Sequence, residues 1–159
     1  MDIKTFERYL KRLPEKVLPD VADIVAETAT SYFKDSFRRK GFDGNPWRPG
    51  RPKSRGSLLI DTGALVNSIR PSEISTSRVV ISAGNSKVTY AKVHNEGFSG
   101  GVNVPAHTRN TRWGIVEVKA HTRYMRVIKR QFLGPAKQLN EQMYKRIVRH
   151  LQDLLNENK

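Results

Sequence analysis

The 159-residue chain contains no cysteine. That excludes disulfides, thiolate zinc sites and a cysteine nucleophile together. No apolar run approaches the roughly 18 residues that a membrane span requires, and the N-terminus lacks the apolar stretch of a secretory signal. The sequence has no P-loop, no G-x-S-x-G, no H-E-x-x-H and no calcium loop. Acidic residues are scarce: 15 stand against 29 lysines and arginines, giving a formal charge of +14. Charge of this size bears on partners and solubility rather than on fold. The hydrophobic fraction of 37% suffices for one small core. The expectation is a single, soluble, very basic domain over residues 1–159, made in the cytosol.

The positive charge is concentrated. Residues 37–58 and 99–130 each carry seven basic side chains against one acidic, so together they supply twelve of the fourteen net charges. In the first segment the candidates for contact with a partner or DNA are Arg48, Arg51, Lys53 and Arg55. In the second they are His107, Arg109, Arg112, Trp113, His121, Arg123 and Arg126. Solvated surface is the alternative reading of any basic stretch.

Ile3, Phe6, Leu10 and Leu13 recur at helical spacing, and Pro14 is expected to end or kink that helix. A second helix is expected from about Glu15 to Lys40, with Val21, Val25, Thr28 and Tyr32 as its inner stripe and Pro19 in its first turn or at a kink. Arg38, Arg39 and Lys40 suit a helix C-terminus, and Gly41 the left-handed cap. Glycines and prolines make residues 41–57 a flexible basic loop. Trp47 inside it is expected to pin the loop to the core rather than to stand as an exposed contact.

Asp61 or Thr62 is the expected N-cap of a short helix that buries Leu65 and Ile69 and that Pro71 closes. Strands are expected at Arg78–Ala83 and around Val88 and Tyr90. Residues 99–130 read as an extended β-hairpin arm. Within it Ala106-His107-Thr108-Arg109-x-x-Arg112 is repeated as Ala120-His121-Thr122-Arg123-x-x-Arg126, 14 residues later. Period-two geometry places His107 with Arg109, and His121 with Arg123, on one face. Gly134-Pro135 is expected to open a C-terminal helix whose stripe is Ala136, Leu139, Met143, Ile147, Leu151 and Leu154, with Asn156–Lys159 fraying. The fold class is α+β: N-terminal helices, a small antiparallel β-sheet with a long basic β-hairpin arm, and a C-terminal helix packed on the sheet.

Chemistry-bearing clusters are few. His94 and Glu96 have the look of a metal pair, but a loop with polar ends explains them as well. His107 and His121 lack carboxylates that would complete a metal site across the arm. No carboxylate pair suggests acid–base work. The expectation is a protein that is not an enzyme and takes no metal or cofactor.

One ordered set of motifs carries a resemblance. After a helical N-terminus come Pro46-Trp47 with Lys53, then Leu58-Leu59-x-Asp61-Thr62-Gly63-x-Leu65-x-x-Ser68-Ile69. Tyr90-Ala91-x-Val93-His94-Asn95-Glu96-Gly97 follows, then the paired A-H-T-R arm, then Arg130-Gln131-Phe132-Leu133-Gly134 before the last helix. The set covers roughly residues 30–150 and resembles the phage virion morphogenesis, or tail-completion, proteins of Mu-like phages and related head–tail neck proteins. That family often places a proline shortly before R-x-F-L-G, where this chain has Ile128-Lys129-Arg130.

Most of these positions are folding residues, so the likeness speaks first to fold. Tyr90 is expected to pack the sheet, Gly97 to launch the arm, and Phe132 and Leu133 to dock the last helix. For function the resemblance implies a structural virion protein, made in the host cytoplasm, that acts in tail completion or head–tail joining. Its implied partners are other neck, tail and connector proteins and further copies of itself in a ring. Non-specific contact with packaged DNA is a third possibility, and no membrane is involved. The alternative is a sequence-independent nucleic-acid-binding protein unrelated to virions.

Overall fold

The computed structural model describes residues 3–50 and 56–157. Helix α1 runs unbroken over Ile3–Arg39, about 55 Å at the usual rise per residue. This corrects the expectation of two helices. Pro14 and Pro19 both lie inside α1 with their rings exposed. A proline removes one hydrogen bond and crowds the carbonyl four residues back, but it does not oblige a helix to stop. The side chains of Ile3, Phe6, Leu10 and Leu13 lie outside the described part of the structure. The buried stripe of α1 is Ala22, Ala26, Ala29, Phe33 and Phe37, flanked by Thr28, Tyr32 and Ser36. Of the inner stripe expected from the sequence, Thr28 and Tyr32 are buried, while Val21 and Val25 are half-buried beside Ala22 and Ala26.

At the end of α1 the left-handed residue is Lys40 (φ 53°), not Gly41. Gly41 answers a different need, because a Cβ there would lie 2.7 Å from the Asn45 carbonyl oxygen. That close approach belongs to a tight hairpin of β1 (Gly41–Phe42) and β2 (Asn45–Pro46). Its two turn residues, Asp43 (φ 49°) and Gly44 (φ 81°), both have positive φ, as a type I′ turn demands. The segment expected to be all loop therefore starts as a hairpin.

Helix α2 (Ala64–Asn67) has Gly63 (φ 79°) at its N-cap rather than Asp61 or Thr62. The Ala64 N–H reaches the Thr62 hydroxyl at 3.4 Å. Leu65 and Ile69 are buried. Pro71 does not close this helix; it lies in β3 (Arg70–Ile74), which pairs antiparallel with β4 (Val79–Ser82) and shifts register just after Pro71. No strand forms at Val88 and Tyr90. The Asn85 side-chain oxygen accepts the N–H groups of Lys87 and Val88 at 2.9 and 3.0 Å, which curls the chain. Helix α3 (Ala91–Glu96) follows directly. Tyr90 does not pack a sheet but is 41% exposed, with its ring edge-on to that of His94.

Strands β5 (Phe98–Val104), β6 (His107–Thr111), β7 (Gly114–Val118) and β8 (His121–Val127) form one long hairpin. Its inner ladder is β5 with β8 and its outer ladder β6 with β7. Helix α4 (Lys137–Glu157) starts two residues beyond Pro135 and continues past Asn156. It runs antiparallel to α1. Gln138 meets Tyr32 at 3.5 Å, Arg146 donates to Thr28 at 2.8 Å and Glu27 at 2.6 Å, and His150 lies 3.4 Å from Asp20. The C-terminal helix thus packs on α1 and not on a sheet. The strands make four separate two-stranded ladders, which offer no broad face.

The α+β class holds, with helices at both ends and small antiparallel ladders between them. The core is an aromatic cluster. Phe37 lies 5.0 Å from Phe132 and 5.4 Å from Trp47 between ring centroids, while Tyr32, Phe33 and Phe42 meet at 5.9 to 6.3 Å. Ile69, Leu65, Val88 and Leu139 complete it. Fully buried aromatics of this size dominate the stability of a small domain.

Candidate functional site: an exposed ribbon and a motif-lined cavity

The hairpin of β5 to β8 keeps a single register. Phe98 faces Val127 at its base, Val104 faces His121, His107 faces Val118, and Thr111 faces Gly114 beside the tip. Ladder pairing lapses only at Pro105-Ala106 opposite Lys119-Ala120. Pro105 has no N–H to give. The sequence repeat is built around this joint. His107 Nδ1 lies 3.0 Å from the Pro105 carbonyl, and His121 Nδ1 lies 3.0 Å from the Lys119 carbonyl. Each copy of A-H-T-R starts a strand just after the joint, and each histidine ties back across it. The two copies are thus related by the local twofold of an antiparallel pair.

The outer ladder is exposed on both faces. Trp113 at the tip is 89% exposed and Ile115 74%, with Val116 beside them. The Arg112 guanidinium sits 5.5 Å from the Trp113 ring centroid. His107, Arg109, Arg112, His121, Arg123 and Arg126 are all exposed on the ribbon, and Tyr124 is 72% exposed near its base. Of the basic candidates in the earlier segment, Arg48 is exposed, while Arg51, Lys53 and Arg55 lie outside the described residues.

The remaining motif residues converge on the ribbon's root and on a cavity of about 700 Å³. Trp47, Asp61, Leu65, Tyr90, His94 and Arg130 line that cavity, with Thr62 and Gly63 also in its wall. They come from four separate stretches of chain. Trp47 is buried, and its indole N–H donates to the Gln131 carbonyl at 2.7 Å, fastening the first hairpin to the segment before α4. Asp61 and Thr62 are exposed at the rim. Asn95 is the clamp of the root: its side-chain oxygen accepts the N–H groups of Phe132 at 2.9 Å and Leu133 at 3.0 Å. The Arg130 N–H donates to the His94 carbonyl at 2.9 Å. Gly97 (φ 81°) packs against the Lys129 backbone, where a Cβ would lie 3.1 Å from the Lys129 nitrogen. Phe132 is buried, Leu133 half-buried, and Gly134 (φ 142°) turns the chain toward α4.

Three residues have roles here that were not legible in the sequence, although Asn95 and Arg130 stand inside its motifs. Asp43 caps α4 from 94 residues away: its carboxylate accepts the N–H groups of Gln138 at 2.9 Å and Lys137 at 3.1 Å. Those two bonds, Gln138 first, hold the Asp43 carboxyl below the usual carboxylate range. The Asp-Gly dipeptide was the available signal, since it marks the turn that aims this side chain. Asn95 stood in the Tyr90–Gly97 motif, with no local signal of its partners. Arg130 is 9% exposed, and its Nε donates to the Arg48 carbonyl at 3.3 Å. Nothing in the sequence marks it as buried.

Among the described residues no group of three or more histidine and acidic side chains is placed to hold a metal ion. No described helix is long and apolar enough to cross a membrane. The fold is thus an α+β body that extends a two-faced ribbon. The chain belongs to the phage virion morphogenesis family, whose profile matches residues 1–152. That family acts in the morphogenesis of the phage virion. No curated protein and no solved structure gives a match to the chain.

Proposed function

We propose that this protein is a tail-completion or head–tail joining subunit, present in the virion as one member of a ring at the neck or tail terminus. The ribbon is the observation that supports this reading. A two-stranded hairpin alone in water is marginally stable. Here the outer ladder also exposes Trp113 and Ile115 at its tip. Apolar side chains grouped at the end of an extension mark an interaction surface rather than a core. A contact from one subunit's ribbon to the next subunit is head-to-tail, and such contacts close into rings when the rotation allows. Neighbouring neck, tail and connector proteins are the other partners. The exposed arginines meet either acidic protein surface, where charge complementarity aids encounter and register, or the phosphates of passing DNA.

The test is a ribbon shortened at its joint. Replacing residues 105–120 with Asn-Gly closes β5 onto β8 through a two-residue turn. The body should fold as before, and phage carrying this variant should yield full heads beside separate tails in electron micrographs. Malformed tail ends would narrow the role to termination. Normal infectious particles would overturn the reading. The four arginines on the ribbon favour a second reading, a sequence-independent nucleic-acid-binding protein. Normal particles together with tight, salt-sensitive DNA binding would promote it.

A further inference from the structure

We infer that the two outer edges of the ribbon are docking edges for a second copy of this chain, so that Phe98–Thr111 of one copy pairs antiparallel with Gly114–Val127 of the next. This deepens the ring reading and rests on it for the presence of neighbouring copies. Each strand of the ribbon has a single partner, β5 with β8 and β6 with β7. Among the described residues, no backbone hydrogen bond from elsewhere in the chain reaches the outer side of these strands. A long free edge is a template for a further strand, and proteins that do not use such an edge blunt it with charge, proline or a bulge. β5 has none of these: it carries no lysine, arginine, aspartate, glutamate or proline, and its ladder runs without a register shift. A further strand on each side supplies the stability that two strands lack by themselves.

Another copy of the ribbon is the strand donor that fits. The two edges are equal in length, and ladder pairing lapses at the same level on both, at Pro105-Ala106 and at Lys119-Ala120. Two ribbons that point the same way therefore present antiparallel edges to each other, joint beside joint. In that contact the uncharged β5 adjoins β8 with its Arg123 and Arg126, and β6 with Arg109 adjoins β7 with Glu117, so no two basic strands meet. A twofold pair of copies would join like edges and leave the other edge of each ribbon open. Head-to-tail pairing seats each edge on the opposite edge of the next copy, and closure of the ring leaves no edge free. The product is an antiparallel barrel to which every subunit gives two strands at each level.

The absence of native cysteine makes the test direct. Phage lacking the gene are grown with two singly substituted full-length chains in equal amounts. One is Asn103→Cys on β5; the other is Ala120→Cys, Thr122→Cys, Tyr124→Cys or Arg126→Cys, in or just before β8. All five positions are exposed, so the substitutions leave the fold alone. The particles are purified, oxidised and run on a non-reducing gel. Neighbouring strands lie about 4.8 Å apart, within the span of a disulfide, while alternate strands lie about twice as far apart and beyond it. One of the four mixtures should give a dimer band holding up to about half of the chain, the share that random mixing allows, and its partner residue fixes the register. Asn103→Cys alone should give no dimer. Particles that contain the chain but give no dimer in any mixture overturn the edge pairing and leave the ring reading standing. A dimer from Asn103→Cys alone also overturns it, since that marks like edges joined about a twofold. Normal particles that lack the chain overturn the ring reading itself, and this inference with it.

Discussion

At the residue scale, two side chains hold together segments that are far apart in sequence. Asp43 supplies what the start of α4 lacks, a side-chain acceptor for its first free N–H groups. Asp43→Ala should lower the unfolding midpoint by several degrees, while Asp43→Asn should keep most of the cap. The carboxyl titrates lower in the folded chain than in the unfolded one. Its contribution is therefore complete above the unfolded value, near pH 4, and fades as pH falls through the folded value. Melting curves from pH 2 to pH 7 should show this acid loss in wild type and its absence in Asp43→Asn. Asn95 holds two N–H groups at the root of the ribbon. Asn95→Ala should cost about 1–3 kcal/mol in urea unfolding, two ordinary hydrogen bonds' worth, and Asn95→Asp should cost less because its oxygens still accept. Neither aspartate nor asparagine could be assigned its partner from sequence, since a cap supplied across 94 residues leaves no trace in local spacing.

At the element scale, legibility followed the range of the forces involved. The ribbon was readable because alternation, the A-H-T-R repeat and its 14-residue spacing are local facts. The long N-terminal helix was misdivided because proline punctuation is a preference and not an obligatory stop. The strand expected around Val88 and Tyr90 rested on two alternating residues, too few to compete with the Asn85 turn. β3 went unseen because its strand carries Pro71, Ser72 and Glu73 with little apolar alternation. Trp113 and Ile115 belong to an element that adds almost nothing to the core. Trp113→Ser with Ile115→Ser should leave the midpoint within the roughly 0.5 kcal/mol expected of exposed positions, yet it should impair particle assembly as the shortened ribbon does. A large drop in midpoint for that double variant would show the tip packed against the body.

At the scale of the whole molecule, the charge of +14 was evident from composition, but its placement was not. Four of its arginines, Arg109, Arg112, Arg123 and Arg126, stand exposed on the ribbon. If each meets one phosphate, binding to duplex DNA falls with salt at a log–log slope of about −3.6, and removal of residues 105–120 reduces it to about −1.8. Fluorescence anisotropy across a salt series checks this, and an unchanged slope would locate the DNA contact elsewhere. The cavity was legible only as scattered motifs. Trp47, Asp61, His94 and Arg130 are brought together by the meeting of the first hairpin, α2, α3 and the segment before α4.

The ribbon also has a mechanical consequence. From Phe98 to Trp113 it spans about 50 Å at the usual strand rise, so it is a lever nearly as long as α1. A force applied at the tip arrives at the root multiplied as torque. The root is where Asn95 grips the backbone of Phe132 and Leu133 and where Gly97 lies flush against Lys129. Near mid-length, Pro105 and Lys119 interrupt the ladder, so bending strain is relieved there before it reaches the aromatic core. A subunit held by its tip can thus yield at the joint while its body stays fixed.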